Sequence, residues 1–128
     1  MTILNNFNAG KYGENVACTY LNKNGWEILF RNYRRKSDEI DIIAKLRELL
    51  VFFEVKTLIK HSLSTLDALR PEDNLTSAKL RKIRRTCEFF ARLHPELIDP
   101  DAGWQMDLLA IEISPEGKTI AIRHYKNI

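Results

Sequence analysis

The sequence predicts an α/β protein whose helices flank one mixed β-sheet, in the order α-β-β-β-α-β-β. Three observations lead to this fold class. Two segments repeat apolar residues at helical spacing, five segments have the apolar pattern of strands, and the second helix separates the third strand from the fourth. Because a helix commonly connects parallel strands of one sheet, we expect the third and fourth strands to be parallel. We expect residues 1–128 to form a single domain.

Two helices are predicted, over residues 9–22 and 77–93. Asn8 and Thr76 are the expected N-caps, because their short polar side chains can accept a hydrogen bond from the first turn. Gly25 is positioned to end the first helix. The residues that form the apolar stripes are Val16, Ala17, Tyr20 and Leu21 in the first helix and Leu80, Ile83, Cys87 and Phe90 in the second.

Short polar connections between the first three strands predict an antiparallel meander. A turn at residues 114–118 predicts a hairpin between the last two strands. Residues 57–75 form a long irregular connection, which is typical of a mobile or functional segment. The predicted strands are residues 26–31, 39–44, 49–56, 105–113 and 119–125.

The net charge of +3 is unevenly distributed along the chain. Residues 31–36 and 79–92 contain ten basic residues and one acidic residue, a net +9, so the other 108 residues sum to −6. A localised basic surface suits a polyanion such as nucleic acid, and a solvated charged face explains the pattern equally well. The nucleic-acid-binding candidates are Arg34, Arg35, Lys36, Lys79, Arg81, Lys82 and Arg85.

The sequence lacks the features of exported and membrane proteins. Its longest uninterrupted apolar run is residues 49–53, far below the ~20 residues of a membrane span. Residues 1–12 lack the pattern of a signal peptide. The two cysteines, Cys18 and Cys87, provide neither a disulfide framework nor a CxxC metal half-site. We therefore expect a cytoplasmic protein that does not associate with membranes.

Acidic residues interrupt the second and third predicted strands. Period-two alternation places Asp41 on one face together with Glu39 and Ile43. In the next strand it places Glu54 and Lys56 on one face. If the two strands are neighbours, Asp41 and Glu54 converge near one edge of the sheet. The residues expected on the opposite faces are Ile40, Ile42 and Ala44 in the second strand and Val51, Phe53 and Val55 in the third.

Glu14 could complete a pocket with Asp41 and Glu54. It precedes Leu21 by seven residues, nearly two helical turns, and so lies at the edge of the buried face. Three carboxylates suit Mg²⁺ or Mn²⁺, and Lys56 could orient an attacking water or stabilise charge on a phosphate. Structural alternatives are a first-turn acid favoured by the helix dipole for Glu14, and an ordinary ion pair between Glu54 and Lys56.

Asp41 followed thirteen residues later by Glu54-Val55-Lys56 resembles the PD-(D/E)xK nuclease signature. From residue 10 to residue 128 the chain also resembles the YraN family of uncharacterised bacterial proteins. This resemblance implies a restriction endonuclease-like fold, similar to archaeal Holliday-junction resolvases, and a nuclease activity. The matching segments are Gly10-Lys11-Tyr12-Gly13-Glu14 with Ala17, Arg31-Asn32, Glu39-Ile40-Asp41, Phe53-Glu54-Val55-Lys56-Thr57 and Lys79.

Three positions depart from the usual pattern of that family. Asp38 stands where the family usually has Gly, and Leu58 and Gln105 stand where it often has Arg. The acidic motif is retained, so these departures bear on phosphate contact rather than on metal binding. Asp107 is a candidate support residue for the site, with a buried structural acid as an equal alternative.

We therefore predict a metal-dependent nuclease that hydrolyses phosphodiester bonds in DNA, with branched or otherwise structured DNA as substrate. Glu14, Asp41 and Glu54 would be the metal ligands and Lys56 the catalytic amine. A homodimer would suit a symmetric junction. One alternative is a nucleic-acid-binding module without turnover, alone or as a subunit of a larger assembly. Another is a protein-interaction domain whose basic helix meets an acidic partner.

Overall fold

The computed structural model describes residues 8–61 and 71–128. Its main elements follow the predicted order α-β-β-β-α-β-β, with two short 3₁₀ turns, Pro71–Asn74 and Pro95–Leu97. The helices and strands are α1 (Ala9–Lys23), β1 (Glu27–Arg35), β2 (Asp38–Leu46), β3 (Leu49–Ile59), α2 (Ser77–Leu93), β4 (Trp104–Ile113) and β5 (Thr119–Tyr125).

The five strands form one sheet in the order β1-β2-β3-β4-β5. β1, β2 and β3 pair antiparallel, which confirms the predicted meander. β3 and β4, the two strands on either side of α2 in the chain, pair parallel from Leu50 opposite Trp104 to Ile59 opposite Ile113. β5 returns antiparallel beside β4. The mixed sheet predicted from the element order is therefore confirmed.

The two helices cover opposite faces of the sheet. On one face α1 packs Ala17 and Leu21 against Phe53, and on the other α2 packs Phe90 against Phe52. Both predicted apolar stripes lie in these two cores. Asn8 accepts a bond from the backbone N–H at position 11 and Thr76 accepts one at position 79, so both predicted caps are confirmed. Neither of these helices is long and apolar enough to span a membrane.

The strands beside the candidate site are longer than the sequence predicts. β1 continues to Arg35 and β2 begins at Asp38, so that residues 32–35, expected in a connection, are part of the sheet. The charged residues can lie there because β1 is an edge strand with much of its surface exposed. Arg34 and Arg35 therefore lie on a strand, and Lys36 occupies the turn with a φ of 58°.

β3 also extends beyond its predicted end. It reaches Ile59 because β4 continues to pair with it, so residues 57–59 of the expected irregular segment are strand. Residues 71–74 of the same segment form a 3₁₀ turn. Residues 62–70, the middle of that prediction, lie outside the described residues.

The predicted alternation of side chains fails at one place in β2. Ile42 packs on the α1 side, as Ala44 does, but Ile40 packs on the α2 side with Ile43. The sharing of one face by Ile40 and Ile42 is therefore a wrong prediction. β1 is irregular at the same level, because Asn32, which lies between the partners of Ile42 and Ile40, has a left-handed φ of 53°. A left-handed residue interrupts the regular pleat, which period-two counting assumes.

Candidate active site

The candidate site lies where β2 and β3 separate. Their ladder runs from Leu46 opposite Leu49 to Ile42 opposite Phe53 and ends there, so the next positions along the two strands are Asp41 and Glu54. In place of a backbone partner, the Asp41 carboxylate accepts the N–H of Val55 at 2.8 Å. We call this separation of β2 and β3 the fork. It places Asp41 and Glu54, the two acids that were predicted to converge, at one end of the sheet.

Glu14 of α1 joins this fork. Glu14, Glu39 and Asp41 each have a carboxylate oxygen within 4.8 Å of the other two, and all three side chains are half-buried. We call these three residues the carboxylate cluster. One helix, α1, and one strand, β2, thus contribute carboxylate oxygen atoms to one small volume. The expected meeting of Glu14 and Asp41 is present in the structure.

Asn32 holds two members of the carboxylate cluster together. Its Nδ2 donates to Glu14 Oε1 at 2.8 Å and to Glu39 Oε1 at 2.9 Å. The left-handed backbone of Asn32 suits asparagine, one of the few residues other than glycine that tolerates it. Arg34 Nε contacts the second oxygen of Glu39 at 2.8 Å. In the sequence, Asn32 is recognisable only as part of a family motif, without a role of its own.

The composition of the cluster differs from the expected ligand set. Glu39 is a member, although sequence analysis did not select it, and its place two residues before Asp41 was the available signal. Glu54 lies outside the cluster, and its Oε1 is 3.4 Å from Lys56 Nζ. The ion pair considered as the structural alternative for Glu54 and Lys56 is therefore present beside the cluster.

Burial is the largest influence on the carboxylates at the fork. Burial, followed by the neighbouring Glu54 charge, raises the pKa of Asp41 to about 8, against the opposing hydrogen bond from Val55. Burial also raises the pKa of Glu54, although Lys56 opposes this shift. Carboxylates that resist ionisation this way have too little compensating positive charge nearby. A divalent cation would provide it, so the donor atoms and the charge of the site both fit a metal ion such as Mg²⁺.

Two clefts adjoin the cluster and share Glu39. The first cleft has a volume of about 630 Å³ and lies between the start of α1 and β1. The second cleft, of about 190 Å³, lies between the fork and the start of α2. The charged residues that line the first cleft are Lys11, Glu14, Arg31, Arg34 and Glu39. Those that line the second cleft are Asp38, Glu39, Glu54, Lys56, Lys79 and Lys82.

The structure separates the basic residues that sequence analysis grouped together. Arg34 lines the first cleft, and Lys79 and Lys82 line the second. Arg81 and Arg85 line a different hollow on α2, shared with Arg84 and Glu88. The Arg35 guanidinium lies 3.8 Å from the centre of the Phe89 ring, where it packs β1 against α2. Lys36 is exposed in the turn between β1 and β2.

Asp107 of β4 is a structural acid rather than a member of the cluster. It is 1% exposed, accepts Gln105 Nε2 at 2.8 Å and the Asn127 N–H at 2.9 Å, and contacts His124 Nε2 at 2.7 Å. Burial alone would raise the pKa of Asp107, but these hydrogen bonds lower it. Gln105, one of the positions that departs from the family pattern, is therefore used to hold a buried carboxylate.

Comparison with known proteins gives a consistent family. A family model described as the uncharacterised protein family UPF0102 matches residues 13–111. A UPF0102 protein of Caldicellulosiruptor saccharolyticus is 32% identical over 124 residues, which cover 97% of this chain and 98% of the relative. One from Campylobacter jejuni is 40% identical over 103 residues, covering 80% and 82%. One from Dictyoglomus turgidum is 30% identical over 124 residues, covering 97% and 98%.

Proposed function

Since the chain belongs to the uncharacterised UPF0102 family, the YraN family that its motifs resemble, we propose its activity from the geometry of the site. The proposal is a divalent-metal-dependent nuclease that hydrolyses phosphodiester bonds in DNA in the cytoplasm. The observation that carries it is the convergence of Glu14, Glu39 and Asp41 within 4.8 Å beside the Glu54 and Lys56 pair.

The cluster residues Glu14, Glu39 and Asp41 would hold Mg²⁺ or Mn²⁺, with Glu54 adjacent. Hard cations of this kind prefer carboxylate oxygens and retain several waters in such sites. When bound, the ion would lower the pKa of a coordinated water and offset negative charge on the phosphate. Asn32 keeps two of the carboxylates in place through its pair of hydrogen bonds, so the site needs little rearrangement to bind a cation.

Lys56 would be the catalytic amine. Its ammonium group lines the second cleft and lies 3.4 Å from Glu54, which keeps it oriented beside the cluster. A phosphodiester placed over the cluster would develop extra negative charge on its oxygens during attack by water. A fixed ammonium group stabilises that charge and can orient the attacking water.

The two clefts support an extended, phosphate-rich substrate. They flank the cluster and are lined by basic side chains from α1, β1 and α2. Branched or otherwise structured DNA is the substrate that we propose, with a homodimer as the form suited to a symmetric junction. A nucleic-acid-binding module without turnover is the second candidate, favoured by the pairing of Glu54 with Lys56 outside the cluster.

The test is cleavage of single-stranded, duplex, forked and four-way-junction DNA in Mg²⁺ or Mn²⁺. The wild type should cleave at least one substrate, and chelation by EDTA should stop the reaction. Asp41→Asn and Lys56→Ala should each lose most of the activity. Asp101→Asn, a change of an exposed acid outside both clefts, is the matched control and should retain it.

Cleavage that survives both Asp41→Asn and Lys56→Ala would contradict the proposal. If the wild type binds DNA but cleaves none of the four substrates with either cation, the binding module is the better description. Thermal unfolding of each variant confirms that lost activity is not lost folding.

A further inference from the structure

We propose that the first cleft is the principal phosphate-binding surface of the protein, through Lys11, Arg31 and Arg34. This inference rests on the proposed function for its ligand, a nucleic-acid backbone. It concerns binding, however, and does not depend on whether the bound strand is hydrolysed. It also shifts the main contact away from Arg81 and Arg85 of α2.

The position of the first cleft suits it to bind phosphates. The first cleft reaches the carboxylate cluster directly, since Glu14 and Glu39 belong to both. A strand that places a phosphodiester over the cluster must continue on each side of it. On one side the path available is the first cleft, whose volume of about 630 Å³ lies in the range of pockets that hold whole small molecules. The hollow with Arg81 and Arg85 shares no lining residue with the cluster.

The charges that line the two clefts at the cluster also differ. Three basic residues and two acidic residues line the first cleft, and both acids are the cluster members Glu14 and Glu39. The second cleft has three acidic and three basic residues, so its charges balance. Of the two clefts that adjoin the cluster, the first therefore has the positive excess, and a cation held by the cluster would increase it. The hollow on α2 has a larger excess, three arginines against Glu88, but it does not adjoin the cluster. Phosphate oxygens are attracted to such an excess at long range and by direct contact.

The guanidinium groups of the first cleft are already held in place. Arg31 donates to Asn15 Oδ1 at 2.8 Å, which holds it against α1. Arg34 is held by Glu39 at 2.8 Å, yet its side chain is 77% exposed. A guanidinium group has five N–H donors, and one such bond fixes its direction while the group can still donate to phosphate oxygens. Held groups lose less conformational entropy when a ligand binds.

The experiment compares two double variants that each remove two positive charges. Lys11→Gln/Arg31→Gln changes the first cleft, and Arg81→Gln/Arg85→Gln changes the hollow on α2. Binding of fluorescently labelled single-stranded, duplex and forked DNA is measured by anisotropy over a range of salt concentrations. All titrations are run in EDTA, which prevents hydrolysis, and repeated with Ca²⁺. Lys11→Gln alone is included because it leaves the Arg31–Asn15 bond intact.

The slope of log affinity against log salt is negative. We expect the first-cleft double variant to make this slope less steep by about 2, or about 1 per lost phosphate contact. Lys11→Gln alone should make the slope less steep by about 1. The Arg81→Gln/Arg85→Gln variant should change the slope by less than about half of the change in the first-cleft double variant. Equal effects, a larger effect of the Arg81/Arg85 variant, or no DNA binding by the wild type would overturn the inference. Binding with the expected pattern but without cleavage in Mg²⁺ would leave it standing and remove the proposed hydrolysis.

Discussion

Gly13 of α1 lies against Thr57 of β3 so closely that a β-carbon at Gly13 would be 1.8 Å from the threonine hydroxyl oxygen. The hydroxyl is buried and has no hydrogen-bond partner among the described residues, so the contact is one of packing. Glu14 is the next residue of α1. Its distance from the fork therefore depends on the lack of a side chain at position 13.

Replacing Gly13 with alanine should separate α1 from β3. We expect Gly13→Ala to lower the free energy of unfolding by about 1–3 kcal/mol, as measured by urea denaturation, because overpacked cores lose this much. Gly10→Ala is the matched control in the same helix. A β-carbon there would meet only Asn8 Oδ1, at 3.4 Å, so its stability should be unchanged or slightly higher.

A second substitution tests whether the contact with Thr57 is the cause. Two of the three atoms nearest to the new β-carbon, Oγ1 and Cγ2, are absent in Thr57→Ala. The double variant Gly13→Ala/Thr57→Ala should therefore be less destabilised than the sum of the single changes. Additive effects would show that the crowding lies elsewhere.

Asn32 should control metal affinity more than stability. Asn32→Gly keeps the left-handed backbone but removes both hydrogen bonds to Glu14 and Glu39. We expect Mn²⁺ binding, measured by calorimetry, to weaken by about 10–100-fold, the usual effect of losing a residue that orients metal ligands. Asn32→Ala should show the same loss plus backbone strain of about 1–2 kcal/mol in urea denaturation. Unchanged Mn²⁺ affinity in Asn32→Gly would remove the positioning role.

Glu39 and Glu54 offer a direct test of the ligand set. Glu39 belongs to the carboxylate cluster and Glu54 does not, so Glu39→Gln should weaken Mn²⁺ binding more, by roughly tenfold or greater. Glu54→Gln should have the smaller effect on binding and act on cleavage through Lys56. The reverse order of Mn²⁺ affinities would favour the set Glu14, Asp41 and Glu54 expected from the sequence.

Stability at low pH should depend on Glu72, which ties the 3₁₀ turn before α2 to β5. Hydrogen bonds from Arg123, then from Tyr125, lower the pKa of Glu72 to about 2, against the effect of burial. A carboxyl whose pKa is lower in the folded state stabilises that state above its ordinary pKa of 4.5. This contribution is lost as the pH falls from about 4.5 towards about 2.

The matching experiment follows thermal unfolding of the wild type and Glu72→Gln between pH 2 and pH 7. The wild type should be the more stable protein at pH 6, and the difference should shrink as the acid is protonated. Glu116→Gln, which removes an exposed acid from the β4–β5 turn, should show no such convergence. A constant difference between wild type and Glu72→Gln at all pH values would contradict the role of the Glu72 charge.

Local signals predicted much of this fold. The bounds of α2 were confirmed at both ends, because Thr76 caps the helix and Pro95 follows its last turn. The predicted ends of β1 and β3 were wrong, because their last residues are stabilised by pairing with neighbouring strands rather than by their own apolar pattern. The length of a strand depends on tertiary contacts that propensity does not contain.

The candidate site was predicted only in part, and the reason is related. Asp41 was recognisable because it interrupts an apolar strand, and Glu14 because it lies at the edge of the apolar face of its helix. Glu39 and Asn32 were not selected, since their roles depend on the left-handed turn of β1 and the break in the pleat of β2. Arg31 lies in a basic run, but only the folded position of α1 distinguishes it from Arg81.

The parallel pairing of β3 with β4 has a consequence during synthesis on the ribosome. The carboxylate cluster, Asn32 and Lys56 all precede the end of β3, whereas β4 begins only at Trp104. At elongation rates of about 5–20 residues per second, β4 is synthesised several seconds after β3. Its apolar residues 50–53 are part of an unpaired strand edge in this interval, which is the kind of segment that nascent-chain chaperones shield from aggregation.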